Sequence, residues 1–216
     1  MKAVANTKFL EFMEECGVLR FGDFTLKSGR KSPYFINTGE YKDSEQMFRL
    51  GGFYAEMVHA SGVEFDVLYG PAYKGIPLAV ITGTRLLESG MNVGISFNRK
   101  EAKDHGDSKS ILGYTPKNGD KIAIIEDVIT AGTTVKETTE LFRELGIDAE
   151  IAAMYISVDR AERGTGGISA AKQIEQDYGI KVYAIATAYD IIDYLEGENK
   201  GERADKMREY LKEYGV

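Results

Sequence analysis

Cysteine is nearly missing. Cys16 stands alone among 216 residues, so no intramolecular disulfide can form and nothing demands an oxidising compartment. Its place in a helical pattern suits a small buried apolar residue. Only four prolines stand against 24 glycines, which argues for tight turns and close backbone approaches rather than a proline-rich, disordered or collagen-like chain. Histidine and cysteine form no cluster that would suggest a transition-metal site. Long apolar runs are lacking too. The N-terminal stretch MKAVANTKFLEFMEEC carries acids inside its apolar positions, and the run around Ile76 to Ile81 is far too short to span a bilayer. A cytoplasmic protein without a membrane partner is expected. A basic excess is also missing: the formal charge is −7, and without a basic face no nucleic-acid partner is expected.

What is present is a hydrophobic fraction of 43%, enough to fill the core of one domain of generous size. Positive charge, though outweighed, is clumped. Lys27, Arg30 and Lys31 form one group; Arg99, Lys100, Lys103, His105 and Lys109 form another. Such local fields within an acidic whole suit a small anionic ligand.

Phe9, Phe12, Met13 and Cys16 recur at helical spacing and predict an opening amphipathic helix that Gly17 ends. FGDFTLKSGRKSPYFIN reads as a hairpin turning at Ser28 to Ser32, with Pro33 at the start of the return strand. A second helix follows Asp43 as N-cap, with Met47, Leu50, Tyr54, Met57 and Val58 on its inner side. From about residue 65 the short runs DVLYG, VGISF, KIAIIED, AEIAAMYISV and KVYAIAT alternate with helical segments near 76–89, 133–145, 168–178 and 202–214. Strands without clean alternation imply a central parallel sheet flanked by helices, an α/β fold covered on both faces. The stretch from Asn98 to Lys121 greatly exceeds the roughly 4 to 6 residues usual for connections. It is a lid, a disordered insertion or a small hairpin around ILGY.

Three segments carry chemistry. In IAIIEDVITAGTT, residues 122–134, an apolar strand ends in Glu126 and Asp127 and then turns through Val128, Ile129, Thr130, Ala131, Gly132, Thr133 and Thr134 into a helix. Free amides at a helix N-terminus hold a phosphate, and carboxylates at the strand's carboxyl end accept hydrogen bonds from ribose hydroxyls. An acidic turn with an ordinary N-cap has the same pattern. NRKEAKDHG, residues 98–106, reads either as a solvated charged loop or as a lid whose cations meet developing negative charge. GPAYKG, residues 70–75, forms a tight turn bringing Tyr73 and Lys74 to the same sheet edge, a weak signal alone.

Residues 126–134 resemble the phosphoribosyl pyrophosphate loop of the type I phosphoribosyltransferases, and 98–106 resemble the catalytic loop of the orotate phosphoribosyltransferases. The likeness runs from Phe21 to the C-terminal helix and implies a small N-terminal hood over about residues 1–40, an α/β core over about 41–200 and a terminal helix over about 201–216, all one domain. It implies that Glu126 and Asp127 bind the ribose, that the turn from Thr130 to Thr134, entered through Val128 and Ile129, binds the 5-phosphate, and that Thr130 contacts orotate. Tyr73 and Lys74 contact phosphoribosyl pyrophosphate, while Arg99, Lys100, Lys103 and His105 contact the pyrophosphate from a neighbouring subunit, which implies a homodimer with shared sites. Lys27 reaches the reacting substrate; Tyr34 and Phe35 cover the base. Arg160, in DRAERG, grips the orotate carboxylate, with a local ion pair to Asp159 or Glu162 as its other reading. Thr130 stands where 6-oxopurine enzymes carry an aspartate. Glu126 and Tyr34 depart from the aspartate and phenylalanine expected there.

The implied reaction joins orotate to phosphoribosyl pyrophosphate. Lys27, Lys103 and Asp127 are the candidate catalytic residues, and Mg2+ is held mainly through substrate and water rather than by a protein metal site. The alternatives are a phosphoribosyltransferase for another base and a non-catalytic regulator that senses phosphoribosyl pyrophosphate.

Overall fold

The protein is described here by a computed structural model covering residues 2–26, 28–100, 110–129, 133–164 and 167–216, with the side chains of residues 2–5 left aside. It opens with α1 (Lys2–Glu15), stopped by Gly17 in the left-handed region (φ 69°). Phe9, Phe12 and Met13 are fully buried, whereas Cys16 is only half-buried. The hairpin follows as β1 (Leu19–Thr25) and β2 (Lys31–Ile36), turned around Gly29 at φ 83°. Pro33 lies inside β2 rather than at its start. Its missing donor costs no ladder bond, because β1 bulges between Phe21 and Phe24, opposite that position.

A single 3₁₀ turn, Thr38–Glu40, leads to α2 (Ser44–Ser61), capped by the Asp43 carboxylate accepting from the Gln46 amide. Leu50, Tyr54 and Val58 are buried, with Met47 and Met57 packed partly against them, as the spacing predicts. The alternating half then supplies β3 (Val67–Tyr69), α3 (Gly75–Glu88), β4 (Gly94–Asn98), β5 (Ile111–Gly113), β6 (Lys121–Val128), α4 (Thr133–Glu144), β7 (Glu150–Asp159), α5 (Ala170–Tyr178) and β8 (Lys181–Thr187). Two helices close the chain, α6 (Ala188–Gly197) and α7 (Gly201–Tyr214).

Sequence periodicity did not give α6. It begins directly where β8 ends, with no loop to announce it: Thr187 finishes the strand and caps the helix. A reciprocal capping box with Asp190 satisfies the orphan amides.

The main sheet runs β5-β4-β3-β6-β7-β8, parallel throughout except for β5. In the long connection Ile111–Gly113 pairs antiparallel with β4, while the lid and insertion readings fall on residues 101–109, which lie outside the described residues. Gly113 (φ 78°) passes so close to Ile95 that a Cβ there would lie 2.3 Å from its carbonyl oxygen. Successive strand residues divide between two cores. Leu68, Ala123, Ile125 and Tyr155 face the cluster holding α1, α2, α3, α6 and α7, while Val67, Tyr69, Ile122, Ile124 and Met154 face the one under α4 and α5.

Candidate active site

Strand order decides where the chemistry gathers. From β3 the chain proceeds outward to β4 and β5, and from β6 it proceeds the other way to β7 and β8, so the β3/β6 pair is the switch point of the sheet. The two sequence strings of interest both leave from its carboxyl end: GPAYKG follows Tyr69, which pairs with Ile124, and the acidic stretch ends β6.

The 70–75 turn is held by close approach. A Cβ on Gly70 would meet the Gly75 carbonyl oxygen at 2.1 Å, and one on Gly75 would meet the Ile125 carbonyl at 2.9 Å, so only glycine permits this fold of the backbone. The Ala72 amide donates to Asn98 Oδ1 (2.8 Å), tying the turn to the end of β4. From this turn Lys74 Nζ reaches Asp127 Oδ2 at 2.8 Å and Thr38 Oγ1 at 3.0 Å. Tyr73 stands in solvent with the Lys100 ammonium 5.2 Å from its ring centroid. Sequence distance is thereby collapsed: the 70–75 turn and the cationic end of β4 meet.

The two acids are treated differently by their surroundings. Burial alone would raise Asp127, but hydrogen bonds from Lys74, Thr38 (2.6 Å) and the Val128 amide outweigh it and hold the carboxyl below its usual range. Glu126 is pushed up to about 7, by burial first and then by the neighbouring Asp127 charge. One acid is thus kept ionised beside another that titrates near neutrality. Their backbone is fixed from behind by Tyr54, which donates to the Glu126 carbonyl (2.8 Å), and by Ser157, which donates to the Asp127 carbonyl (2.6 Å). Beyond them Val128 and Ile129 are partly buried, and Thr133 and Thr134 open α4, putting its amino end at the switch point.

The β1–β2 hairpin carries Tyr34 and Phe35. Alternation along β2 sends Tyr34 and Phe35 to opposite faces: Tyr34 is fully buried, while Phe35 is exposed and stacks on Phe24 (5.5 Å, 27°). The two rings therefore do not form one lid in this structure. Tyr34 instead underlies Arg160, whose guanidinium carbon sits 4.1 Å from the ring centroid. Arg160 is itself ion-paired with Glu162 (2.6 Å from Nη2, 2.7 Å from Nε), the local pairing that was its other reading.

A cleft of about 470 Å³ runs from Lys74 and Asp127 past Thr38 to Tyr41, Met47 and Leu50. A larger cavity, about 540 Å³, opens at the amino ends of β7 and β8 between Phe142, Ile147 and Tyr178; it includes none of these residues.

Residues 37–187 match the model of the phosphoribosyl transferase domain. The chain is 46% identical to the orotate phosphoribosyltransferase of Lachnoclostridium phytofermentans, over 97% of this chain and 96% of the other. It is 48% identical to that of Nitrosococcus oceani, over 100% and 97%. The crystal structure of the Francisella tularensis orotate phosphoribosyltransferase superposes with a TM-score of 0.87 at 38% identity, over 97% of this chain and all of that one.

The chain belongs to the orotate phosphoribosyltransferase family.

Within this orotate phosphoribosyltransferase fold, Tyr73, Lys74, Lys100, Glu126, Asp127, Thr133 and Thr134 collect around the switch point, while Arg160 and Tyr34 lie together under the hood. At the end of β4 the Arg99 amide donates to the Ser110 carbonyl at 3.0 Å. Lys27, Lys103, His105, Thr130, Ala131 and Gly132 lie outside the described residues. Thr38, Asn98 and Glu162 hold site residues in position; of these contacts only the Arg160–Glu162 pair was foreseen. Their partners are 89, 26 and 2 positions away, and only the Glu162 contact is near enough in sequence to be guessed.

Among the described residues no three His, Cys, Asp or Glu side chains gather as a metal cage. The oxygen donors at the strand end, Glu126 and Asp127, are the hard kind that magnesium prefers when most of its shell is substrate and water. No helix of the described chain is long and apolar enough to cross a membrane.

Proposed function

We propose that this chain transfers the 5-phosphoribosyl group of phosphoribosyl pyrophosphate to orotate, giving orotidine 5'-phosphate and pyrophosphate in the de novo route to UMP. The observation that carries the reading is the pairing, at one sheet switch point, of the Lys74 turn with a strand ending in two acids of divided protonation. The bond from ribose C1 to the pyrophosphate oxygen breaks, the bond to nitrogen 1 of orotate forms, and the proton of that nitrogen must leave.

Each residue has a role in this reading. The amino end of α4, with residues 128–134, holds the 5-phosphate through free amides. Asp127 accepts hydrogen bonds from ribose hydroxyls and is the candidate proton acceptor. Its lowered pKa makes it a weak base, whereas Glu126, at about 7, is matched to exchanging a proton at neutral pH. Lys74, released from Asp127, turns to phosphoribosyl pyrophosphate, and Tyr73, Arg99, Lys100, Lys103 and His105 meet the leaving pyrophosphate. Lys27 reaches the reacting centre, and Arg160 meets the orotate carboxylate from its Tyr34 shelf, while Phe35 flanks the base. Magnesium, when bound, neutralises pyrophosphate charge, and Glu126 and Asp127 would approach it through ribose oxygens and water. The working form is a cytoplasmic homodimer in which the 98–106 loop of one protomer completes the partner's site.

Following orotate absorbance with purified protein, phosphoribosyl pyrophosphate and magnesium tests the reading directly. Orotate should disappear and pyrophosphate accumulate in equal amounts. Consumption of uracil or a purine instead, with orotate untouched, would overturn it.

A further inference from the structure

Glu162 sits where three remote parts of the chain converge. Its Oε1 accepts from Arg160 Nε (2.7 Å), lies 2.6 Å from Arg160 Nη2, and accepts from the Tyr210 hydroxyl of α7 (2.7 Å), while Oε2 takes Arg30 Nη1 of the hairpin turn at 3.3 Å. Arg30 continues to the Arg163 carbonyl (2.9 Å) and covers the Tyr214 ring at 5.0 Å. Arg160 Nη2 also reaches Ser32 Oγ at 3.3 Å. The carboxylate is largely shielded, with 16% of its side chain exposed against 15% for Arg160.

Two features single out this arrangement from an ordinary surface ion pair. First, two guanidinium groups share the one Glu162 carboxylate, with Asp159 as a second shielded carboxylate close by, so Glu162 is the group through which Arg30 and Arg160 are tied together. Second, Glu162 engages the Nε and Nη2 side of Arg160, and Tyr34 covers a face of the same guanidinium. Those contacts fix the plane of the group, and they run through Nε and Nη2 rather than Nη1. Arginine's fork is rigid, so holding one side orients the other.

We infer that Glu162 is a positioning residue for base recognition: it holds Arg160 so that the rest of its guanidinium receives the carboxylate of the incoming base. The inference rests on the proposed role of Arg160. Because Tyr210 and Arg30 join at the same carboxylate, the hairpin and the terminal helix share in setting that orientation.

Steady-state kinetics of Glu162→Ala, Arg160→Ala and the double variant test it, with thermal unfolding recorded for each. Glu162→Ala should raise the KM for orotate about tenfold, the scale of one charged hydrogen bond, with the KM for phosphoribosyl pyrophosphate changed less than about twofold. In the Arg160→Ala background the same substitution should add almost nothing, since a positioning residue has nothing left to position. Tyr210→Phe, which deletes one hydroxyl and leaves the packing, should raise the orotate KM about two- to threefold in the same direction and serves if Glu162→Ala does not fold. A folded Glu162→Ala or Tyr210→Phe protein with unchanged orotate KM, or equal losses for both substrates, overturns the role of Glu162 alone. An unchanged orotate KM in Arg160→Ala overturns the assignment of Arg160, and Glu162 with it.

Discussion

Two regions of the molecule are built on different plans. At the sheet switch point, the proposed phosphate end, the groups come from contiguous strings, strand then turn then helix, and two of them stand in solvent: Tyr73 is 64% exposed, and Lys74, also exposed, is held by a single carboxylate and a hydroxyl. Around Arg160, the proposed base end, the groups come from the hairpin, the segment after β7 and α7, and they are paired with one another and largely shielded. A phosphate can be met by backbone amides and movable lysines because its charge is large and its shape nearly spherical. A planar base with one carboxylate needs donors fixed in angle as well as position, and such fixing requires burial and several partners.

Breaking the phosphate end should therefore cost turnover, and breaking the base end should cost affinity. The largest effect is expected from Lys103→Ala, which should lower kcat by about 10²- to 10³-fold while binding of phosphoribosyl pyrophosphate changes little. Mixing it with Asp127→Ala should restore one composite site per heterodimer; verified heterodimers as inactive as their parents would show that the loop does not act across protomers. Next comes Arg160→Ala, predicted to weaken orotate use by about 1.5 to 3 kcal/mol, or roughly 10- to 150-fold, with little change for phosphoribosyl pyrophosphate. If both substrates suffer alike, the contrast between the ends is wrong.

A third prediction sharpens the split between the acids. Glu126 has a folded pKa of about 7, above its ordinary 4.5, so its contribution to stability is fully present below about pH 4.5 and is lost as pH rises toward 7. Glu126→Gln should flatten that part of a stability-against-pH curve, recovering about 1 to 3 kcal/mol near neutrality. An unchanged slope in urea unfolding across pH 4.5 to 7 would refute the assignment. Asp127 behaves oppositely, since its lowered pKa stabilises the fold above the usual aspartate range and fails only as acid protonates it. The smallest effect belongs to Thr38→Val, which removes the 2.6 Å donor to Asp127; the acid limb of the rate profile should move upward in pH and the KM for phosphoribosyl pyrophosphate rise by about two- to fivefold. Thr38→Ser should restore both.

The contrast also explains what could be seen in the sequence. IAIIEDVITAGTT and GPAYKG were readable because β6 and its turn, or β3 and its turn, lie within a dozen residues, and the switch-point rule then brings them together. Asp43 as the cap of α2 was readable for the same reason. Thr38 was not, and of Glu162 only the local pair with Arg160 was: the rest of their meaning comes from Arg30, Tyr210, Lys74 and Asp127, which periodicity cannot bring near. Tyr34 and Phe35 are neighbours in sequence but face apart in β2, as successive strand residues do, so adjacency in the chain does not put both rings on one side. The helix α6 was missed because Thr187 serves two elements at once, leaving no loop between periods of two and 3.6.

The convergence at Glu162 bears on redesign. Anyone wishing to make this scaffold accept a neutral base would be tempted to change Arg160 alone, yet that would strand Glu162 against Arg30 and leave Tyr34 without its cap. Hairpin residues 30–34, the 159–163 corner and Tyr210 behave as one transplantable cassette, to be exchanged together. The Gly70–Gly75 turn and the end of β6 can meanwhile be carried over unaltered, because in the proposed reaction they meet a part of the substrate that does not change with the base.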